Sequence, residues 1–207
     1  MSAARDAVLA RVREALGPTP AVPGVPREYR GAGALEGDVV ARFCERVAEY
    51  RASVMRLAAA DLVETVGRLC AERGARRIAV PPGGPDVLPG VSVVVDSPPL
   101  AARALDELDG VLTGCALAIA ETGTIVLDGG PRSGRRALTL VPDWHVCVVE
   151  EAAIVAGVPD AVAALAEAAA EGRPITFVSG PSATSDIELD RVEGVHGPRT
   201  LDVLVVS

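Results

Sequence analysis

Apolar side chains recur every four residues near the amino terminus of the chain. Val8, Val12 and Leu16 share one face at this spacing, which predicts an amphipathic helix that begins near residue 4. The stretch that follows, GPTPAVPGVP, is rich in proline and glycine and interrupts regular structure. We therefore expect residues 1–34 to form a helix with a Pro- and Gly-rich arm, ahead of a single domain over residues 35–207.

Two further helices are predicted before the first strand. Apolar residues recur at spacings of three and four from about Asp38 to Leu57, the pattern of one long helix. Asp61 has a side chain suited to an N-cap, and the helix that it opens runs to Arg73, where Gly74 closes it. Helices therefore come ahead of the first predicted strand of the domain.

Runs rich in valine and isoleucine indicate strands from residue 77 onward. The runs 77–80, 91–95 and 111–113 alternate with helical segments, one of them at 100–108, and this alternation is typical of an α/β sheet. The next four runs are joined by loops too short for helical crossovers, so we expect an antiparallel part. Those runs lie at 116–120, 124–127, 137–141 and 146–149; a helix at 159–171 and strands at 175–178 and 201–206 complete the predicted elements.

The composition fits a domain with a buried sheet. Of the 207 residues, 49% are hydrophobic and only 2% aromatic, so the core must consist mainly of Val, Leu, Ala and Ile. No apolar stretch is long enough and free enough of charge to span a bilayer, and the amino terminus lacks the apolar segment of a signal peptide. We expect a cytoplasmic protein.

Several residue types are absent, and their absence excludes several classes of enzyme. All twenty basic residues are Arg, so a P-loop lysine, a Schiff base and a pyridoxal linkage are excluded. The two histidines form no H-E-x-x-H motif and the chain has no G-x-S-x-G elbow, which excludes zincins and ordinary α/β-hydrolases. The net charge of -8 argues against nucleic acid as a partner.

Four cysteines are spread along the chain without a C-x-x-C pair. They are Cys44, Cys70, Cys115 and Cys147. This spacing favours small buried thiols in a reducing compartment over ligands of zinc or of an iron–sulfur cluster. We therefore expect no metal site in this chain.

A carboxylate and two hydroxyls follow the apolar run at 116–120. If that run ends at the carboxyl edge of the sheet, Glu121 lies where α/β sheets bind ligands, and the amides of Thr122, Gly123 and Thr124 can face an anion. A tight hairpin with a solvated glutamate explains the same residues equally well. Both interpretations remain open.

A second polar cluster, SGPSATSDIE, follows the predicted strand at 175–178. Ser185 and Glu188 fit a capping box that opens a helix, and this needs no ligand. The other members of the cluster need a further explanation, and a bound anion is one candidate. They are Gly180, Pro181, Ser182, Thr184 and Asp186.

Three arginines and two histidines supply candidate charges. Arg132, Arg135 and Arg136 lie in the Gly-rich stretch DGGPRSGRR and offer planar donors to a carboxylate or a phosphate, whereas solvation explains any one of them more simply. His196 is a candidate general acid or base, or else a hydrogen-bonded turn residue. His145 opens a predicted strand and is interpreted as structural.

Four motifs stand out by their order and separation. They are AIAETGTIVL, RRALTLVPDWHVCVV, ITFVSGPSATSDIE and GVHGPRTLDVLVV. Together they resemble the LUD domain family, and within it the lactate utilization protein C group; four ordered motifs are far more specific than one glycine loop. The resemblance covers residues 38–207. It implies a three-layer α/β fold similar to the sugar-isomerase and CoA-transferase class, with a mainly parallel sheet between helices and a small antiparallel element.

The resemblance also implies a role in the oxidation of L-lactate to pyruvate beside iron–sulfur proteins. This chain is then expected to be an accessory or regulatory subunit, with the iron–sulfur clusters in its partners and no cofactor of its own. Its ligand would be a small carboxylate, acyl or phosphate compound in a cleft of residues 121–124, 132–136, 180–186 and 196 at the carboxyl edge of the sheet. The site residues that the motifs imply are Glu121 and His196 for catalysis and Thr122, Gly123, Thr124, Arg136, Gly180, Pro181, Ser182, Thr184 and Asp186 for binding, with Ser185 and Glu188 as a helix cap.

Two other functions fit the same residues. In a CoA-transferase-like enzyme, Glu121 would be the nucleophile, Arg136 would hold a carboxylate, and the amides of 122–124 would stabilise the oxyanion. In an interaction module, the helices at 4–16 and 38–57 would bind a partner or a second copy of the chain. The sequence leaves all three functions open.

Overall fold

The structure is a computed structural model with two units, residues 1–30 and residues 31–207. The first unit contains the helix α1, Ala3–Leu16, as its apolar stripe predicts, and no residue of α1 is buried. The residues that the structure describes are 3–18, 24–28, 31, 33, 37–84, 88–181 and 197–207.

The described part of the second unit contains five helices and ten strands. None of the described helices is both long enough and apolar enough to cross a membrane. The helices are α2 Val39–Glu49, α3 Leu62–Arg73, α4 Ala102–Asp106, α5 Val158–Ala164 and α6 Ala166–Ala170. The strands are β1 Ser53–Leu57, β2 Arg77–Val80, β3 Ser92–Val95, β4 Gly110–Gly114, β5 Leu117–Ile119, β6 Thr124–Leu127, β7 Trp144–Glu150, β8 Ile154–Val155, β9 Thr176–Val178 and β10 Thr200–Val206.

The strands form two sheets. The main sheet has six strands in the order β1-β10-β7-β4-β2-β3, and every neighbouring pair is parallel. The second sheet has the order β8-β5-β6-β9, and β6 is antiparallel to both of its neighbours. The sequence predicts both features, a mainly parallel sheet and a small antiparallel element.

Helices cover both faces of the main sheet. On one face, Phe43 and Val47 of α2 pack into a buried cluster with Val203 of β10. On the other face, Val66 of α3 packs into a cluster with Leu204 of β10. Because successive residues of a strand point to opposite faces, β10 is buried on both sides and reads as a nearly continuous apolar run. The predicted α/β fold class is confirmed.

The second sheet corrects the predicted position of the strand at 116–120. This segment forms β5, because Cys115 and Ala116 lead the chain from the end of β4 out of the main sheet and into the second one. β5 then pairs with β6 across a tight turn. Glu121 therefore lies in a hairpin turn of the second sheet, and not at the carboxyl edge of the main sheet.

The helix predicted from Asp38 to Leu57 is wrong in its second half. The side chain of Asp38 caps α2 by accepting hydrogen bonds from two backbone N–H groups of the first turn. The helix ends at Glu49, and the positive φ of Arg51, 63°, redirects the chain. Residues 53–57 instead form β1, which pairs along its whole length with β10. Short apolar runs fit a strand as well as a helix, and this long-range pairing decides the outcome.

Two other segments differ from their predictions. The run at 137–141 is no strand but mostly a 3₁₀ turn, Arg136–Thr139, which the Arg136 side chain closes by donating to the Thr139 backbone oxygen and hydroxyl. The helix predicted at 159–171 is interrupted at Leu165, between α5 and α6. In both segments local periodicity is overridden by packing, because Leu138 of the turn and Leu165 are buried.

Candidate functional site

A cavity of about 160 Å³ lies where the end of β9 meets the amino ends of β7 and β10. We call it the Arg136 cavity. Segments that are far apart in the sequence meet around it. Its described walls include Arg136 and Thr139 of the 3₁₀ turn, His145 of β7, Ser179, Gly180 and Pro181 after β9, and Gly197 and Pro198 before β10.

Arg136 is the one arginine among the described walls of this cavity. Its Nη1 donates to the backbone oxygen and to the Oγ1 of Thr139, at 3.1 Å each, and these contacts aim the side chain. Burial lowers the pKa of Arg136 from its usual value. No carboxylate among the described residues pairs with its guanidinium. A partly desolvated cation with unused N–H donors is an attractive site for a small anion.

A row of three hydroxyls links the turn after β5 to the Arg136 cavity. Thr122 Oγ1 lies 2.7 Å from Thr124 Oγ1, which lies 2.8 Å from Ser179 Oγ. Ser179 lines the cavity. Each hydroxyl has one proton to donate, so the direction in which one hydroxyl donates determines that of its neighbours. The row ends at the Ser179 hydroxyl, which faces the cavity. Thr122 and Thr124 thus support the site through Ser179, a residue to which the sequence assigns no role.

His145 forms a buried part of the cavity wall, with 1% of its surface exposed. Its Nε2 lies 2.8 Å from the Oγ1 of Thr113, on the neighbouring strand β4. The structural role predicted for His145 is consistent with this hydrogen bond, but its place in the cavity wall is a feature that the sequence did not indicate. A signal was available in the motif DWHVCVV, where strand alternation places His145 and Cys147 on one face.

Two buried thiols lie behind the histidine. A hydrogen bond from Cys115, with further ones from His145 and Thr113, lowers the pKa of Cys147 to about 5 despite its burial. The same hydrogen bond, together with burial, raises the pKa of Cys115. All four cysteines are free, and Cys70 is also buried. Among the described residues, no group of His, Cys, Asp and Glu side chains could hold a metal ion.

Two glycines allow the chain to turn at the cavity. Gly180 and Gly197 have φ values of 88° and 125°, which residues other than glycine rarely adopt. A Cβ at Gly180 would also lie 3.0 Å from the backbone oxygen of Tyr50. Only a glycine therefore lets the loop after β9 approach the end of α2 and still line the cavity.

The structure does not bring Glu121 into this cavity. The backbone N–H of Glu121 donates to the carbonyl oxygen of Ala156, and its Oε2 lies 3.3 Å from the position that a Cβ would take at Gly157. The neighbouring Gly123 packs against the backbone of α2, where a Cβ would lie 2.6 Å from the carbonyl carbon of Arg46. The turn at 121–124 is therefore held between α2 and the segment before α5.

The three arginines of DGGPRSGRR also separate. Arg132 donates to Glu150 at the carboxyl edge of the main sheet, with an Nη2–Oε1 distance of 2.7 Å. Arg135 binds the buried carboxylate of Asp96. Only Arg136 reaches the cavity, so the single cleft predicted from 121–124, 132–136, 180–186 and 196 is wrong in its extent for the residues that the structure describes. Its predicted location is also wrong, because β9 belongs to the second sheet and its end lies beside the amino ends of the main strands.

Of the predicted ligand-binding residues, Arg136, Gly180 and Pro181 come together at the cavity, while Thr122 and Thr124 reach it through Ser179. Glu121 and Gly123 lie in the turn away from it, and the other six predicted site residues lie outside the described part of the chain. They are Ser182, Thr184, Ser185, Asp186, Glu188 and His196.

Comparisons with known proteins point to one family. Residues 100–206 match the model of the LUD domain. A lactate utilization protein C of Deinococcus radiodurans is 50% identical over 172 residues, which cover 82% of this chain and 80% of that protein. A lactate utilization protein C of Geobacillus kaustophilus is 27% identical, with 98% of this chain and 96% of that protein covered. The crystal structure of a DUF162 family protein from Deinococcus radiodurans is similar with a TM-score of 0.72 and 44% identity, covering 82% of this chain and 96% of that chain.

Proposed function

This chain belongs to the LUD domain family, and from that premise we propose that it serves lactate utilization as an accessory or regulatory subunit that binds a small carboxylate in the Arg136 cavity. Relatives that cover most of the length of this chain bear the name lactate utilization protein C, and this supports a role in lactate utilization. The observation that carries the ligand assignment is the half-buried Arg136 guanidinium, for which no described carboxylate is a partner.

The chemistry of the cavity favours a carboxylate with a neighbouring hydroxyl or carbonyl group. Arg136 offers a planar fork of N–H donors, the geometry that binds a carboxylate with two parallel hydrogen bonds. Ser179 and His145 lie in the same wall and can pair with a second oxygen of the ligand. Lactate and pyruvate have both groups, so they are the ligands that we propose.

The size of the cavity supports the same class of ligand. Pockets for drug-sized molecules measure roughly 300–1,000 Å³, whereas the Arg136 cavity measures about 160 Å³. A three-carbon acid suits this space, and an intact coenzyme A does not. We assign the electron transfer of lactate oxidation to iron–sulfur partner proteins, as the family resemblance implies.

The ligand assignment is tested by titrating the protein with lactate, pyruvate, phosphate and coenzyme A in a thermal-shift assay and by calorimetry. A ligand at about 100 times its dissociation constant adds about 2.7 kcal/mol to the free energy of unfolding, a readily measured shift. Arg136→Ala should weaken lactate or pyruvate binding at least about tenfold, because a hydrogen-bonded charge pair is lost. Arg42→Ala is the matched control, since Arg42 lies on the exposed face of α2 and pairs with Glu45.

Unchanged binding in Arg136→Ala, or no binding of either acid, would refute the ligand assignment. The role in lactate oxidation needs a separate test with the iron–sulfur partners. We expect these partners to lose lactate oxidation when this chain is removed, the intact chain to restore it, and the Arg136→Ala chain to restore it poorly. Full activity without the chain would overturn the proposed role and leave the binding result standing.

The CoA-transferase-like alternative stays a hypothesis. Its nucleophile, Glu121, lies outside the described walls of the Arg136 cavity, so Arg136 does not provide the carboxylate site that this mechanism needs. If our proposal is right, Glu121→Gln leaves lactate binding intact. Transferase turnover that disappears in Glu121→Gln would favour the alternative.

A further inference from the structure

A second cavity, of about 190 Å³, lies on the other side of the main sheet, beneath the start of α3. We call it the α3 cavity. Leu112 of β4 and Val148 of β7 form its floor, and Val66 and Leu88 are among its walls. Val63 also lines it and is 47% exposed, so the cavity reaches the surface beside this residue.

The position of the α3 cavity in the sheet is that of a ligand site. It lies at the carboxyl end of β4, under the turn that follows β2. β2 and β4 are neighbours, but the chain continues from β2 to β3 on one side and from β4 towards β7 on the other. Open α/β sheets bind ligands at such a point, because diverging connections leave a crevice between the strand ends.

The lining of the α3 cavity selects an apolar ligand. Its floor and most of its walls are side chains of Leu and Val, which offer no hydrogen bonds. Protein interiors rarely leave voids much larger than a water molecule, and apolar cavities stay dry and accept hydrocarbon guests. An aliphatic chain is the guest that this lining would hold between α3 and the sheet.

A cation stands at the edge of the α3 cavity. Arg132 lines it and donates through Nη2 to Oε1 of Glu150, at 2.7 Å. Among the described residues, no acceptor binds the Nε or Nη1 of Arg132. Gly114 makes room for this side chain, since a Cβ there would lie 3.3 Å from the Arg132 Nε. The ion pair is largely exposed, at 47% for the Arg132 side chain and 55% for that of Glu150. Arg132 can therefore bind a second carboxylate, or exchange Glu150 for one, at little cost in free energy.

We propose that the α3 cavity binds a short-chain aliphatic carboxylate. The hydrocarbon chain lies between α3 and the sheet, and the carboxylate accepts hydrogen bonds from the Nε and Nη1 of Arg132. Glu150 beside it repels the ligand and competes for the same guanidinium. This site is separate from the proposed lactate site and does not depend on it.

Calorimetric titration of the full chain with hexanoate tests the proposal. Acetate and 1-hexanol are titrated beside it, because acetate has the carboxylate without the long hydrocarbon chain and 1-hexanol has the hydrocarbon chain without the charge. We expect hexanoate to bind more tightly than either. Arg132→Ala should weaken hexanoate at least about tenfold and leave 1-hexanol unchanged, because it removes the charged donors alone. Glu150→Gln should strengthen hexanoate, because it removes the competing carboxylate.

Two further variants locate the ligand. Val63→Trp, a change at an exposed position, should block both hexanoate and 1-hexanol by filling the mouth of the α3 cavity. Arg136→Ala should leave hexanoate binding unchanged, which separates this site from the lactate site. The proposal is overturned if hexanoate does not bind, if Arg132→Ala leaves its dissociation constant unchanged, or if Arg136→Ala abolishes its binding instead.

Discussion

At the scale of single residues, three arginines within five positions have three different environments. Arg132 forms an exposed ion pair with Glu150, and Arg135 binds a buried carboxylate. Arg136 is half-buried and, within the described part of the chain, pairs with no carboxylate. A desolvated charge without a partner gains most from a bound counter-ion. For this reason the proposed lactate site rests on Arg136, although all three residues belong to one loop.

Gly123 gives the first prediction at this scale. Its φ is 61°, and a Cβ would lie 2.6 Å from the backbone carbon of Arg46. Gly123→Ala should lower the free energy of unfolding by about 2–4 kcal/mol for two reasons. Alanine is strained at a positive φ, and its Cβ would overlap with the backbone of α2. Gly172→Ala is the control, because its φ is 71° but no atom lies within 4 Å. It should cost only about 1–2 kcal/mol. Equal losses in urea denaturation would show that α2 yields to the added methyl group.

Asp96 gives a second prediction, which depends on pH. Burial alone would raise its pKa, but hydrogen bonds from the Arg135 guanidinium and the Leu100 N–H hold the pKa below its usual value. A carboxyl whose pKa is lowered by folding stabilises the protein above its unfolded pKa and loses that contribution as the pH falls through the lowered value. Asp96→Asn should therefore cost about 1–3 kcal/mol near neutral pH, and the difference from wild type should shrink below about pH 4.

The control for Asp96 is the exposed ion pair of Asp143 with Arg199. Asp143→Asn should change the free energy of unfolding by less than about 0.5–1 kcal/mol at any of these pH values, because water screens the pair. Denaturant titrations over the acid range measure both variants. A loss in Asp96→Asn that does not vary with pH would contradict the charged role of this carboxylate.

At the scale of elements, short segments with one long-range partner decide where the candidate site lies. β9 has three residues, and its pairing with β6 carries the loop of Gly180 to the amino ends of β7 and β10. The 3₁₀ turn has four residues and aims Arg136 at the same place. The local signal predicts β9 correctly as a strand but predicts a strand for the 3₁₀ turn as well, and in neither case does it show which sheet the element joins.

Helix α2 carries the prediction at this scale. The Asp38 carboxylate accepts hydrogen bonds from the backbone N–H groups of Val40 and Ala41, at 2.9 and 3.0 Å. Asp38→Ala should cost about 1 kcal/mol of stability, the usual value of an N-cap. Asp61 precedes α3 in the same way, but its side chain makes no cap hydrogen bond, so Asp61→Ala should change stability by less than about 0.5 kcal/mol. Equal effects of the two changes on the urea midpoint would contradict this assignment.

At the scale of the second unit, the two candidate sites lie on different faces and near different ends of the main sheet. His145 lines one cavity and Val148 lines the other, three positions apart on β7. Three residues of strand span about 10 Å. The two cavities share no lining residue, but the hydrogen bond between Thr113, in the wall of the α3 cavity, and His145 joins their walls. Neither Arg132 nor Arg136 belongs to that hydrogen bond, and this is why Arg136→Ala serves as a control for hexanoate binding.

The division of the chain gives a final prediction. Within the described residues, the buried clusters lie in residues 31–207, and α1 has no buried residue. Because truncation is tolerated when it removes no buried contacts, we expect a chain that starts at residue 31 to fold and to bind lactate and hexanoate as the full chain does. Calorimetric melting and the two titrations measure this. Loss of binding in the shorter chain would show that the first unit contributes to a site.

The sequence by itself determined the features that repeat locally. Apolar spacing predicted α1 and the first half of α2, the terminal residues Asp61 and Gly74 predicted α3, and the alternation of helices with β-branched runs predicted the α/β class. Four ordered motifs predicted the family that the comparisons establish. These signals reside within a few residues of one another, and so they survive without knowledge of what each segment packs against.

Only the tertiary structure decided which segments meet. It assigned residues 53–57 to a strand, moved the strand at 116–120 into a second sheet, and sent Arg132, Arg135 and Arg136 to three places. It also placed His145 and Ser179 in one wall. The physical reason is that strand pairing and side-chain burial are contacts between distant parts of the chain, whereas periodicity describes only each part alone.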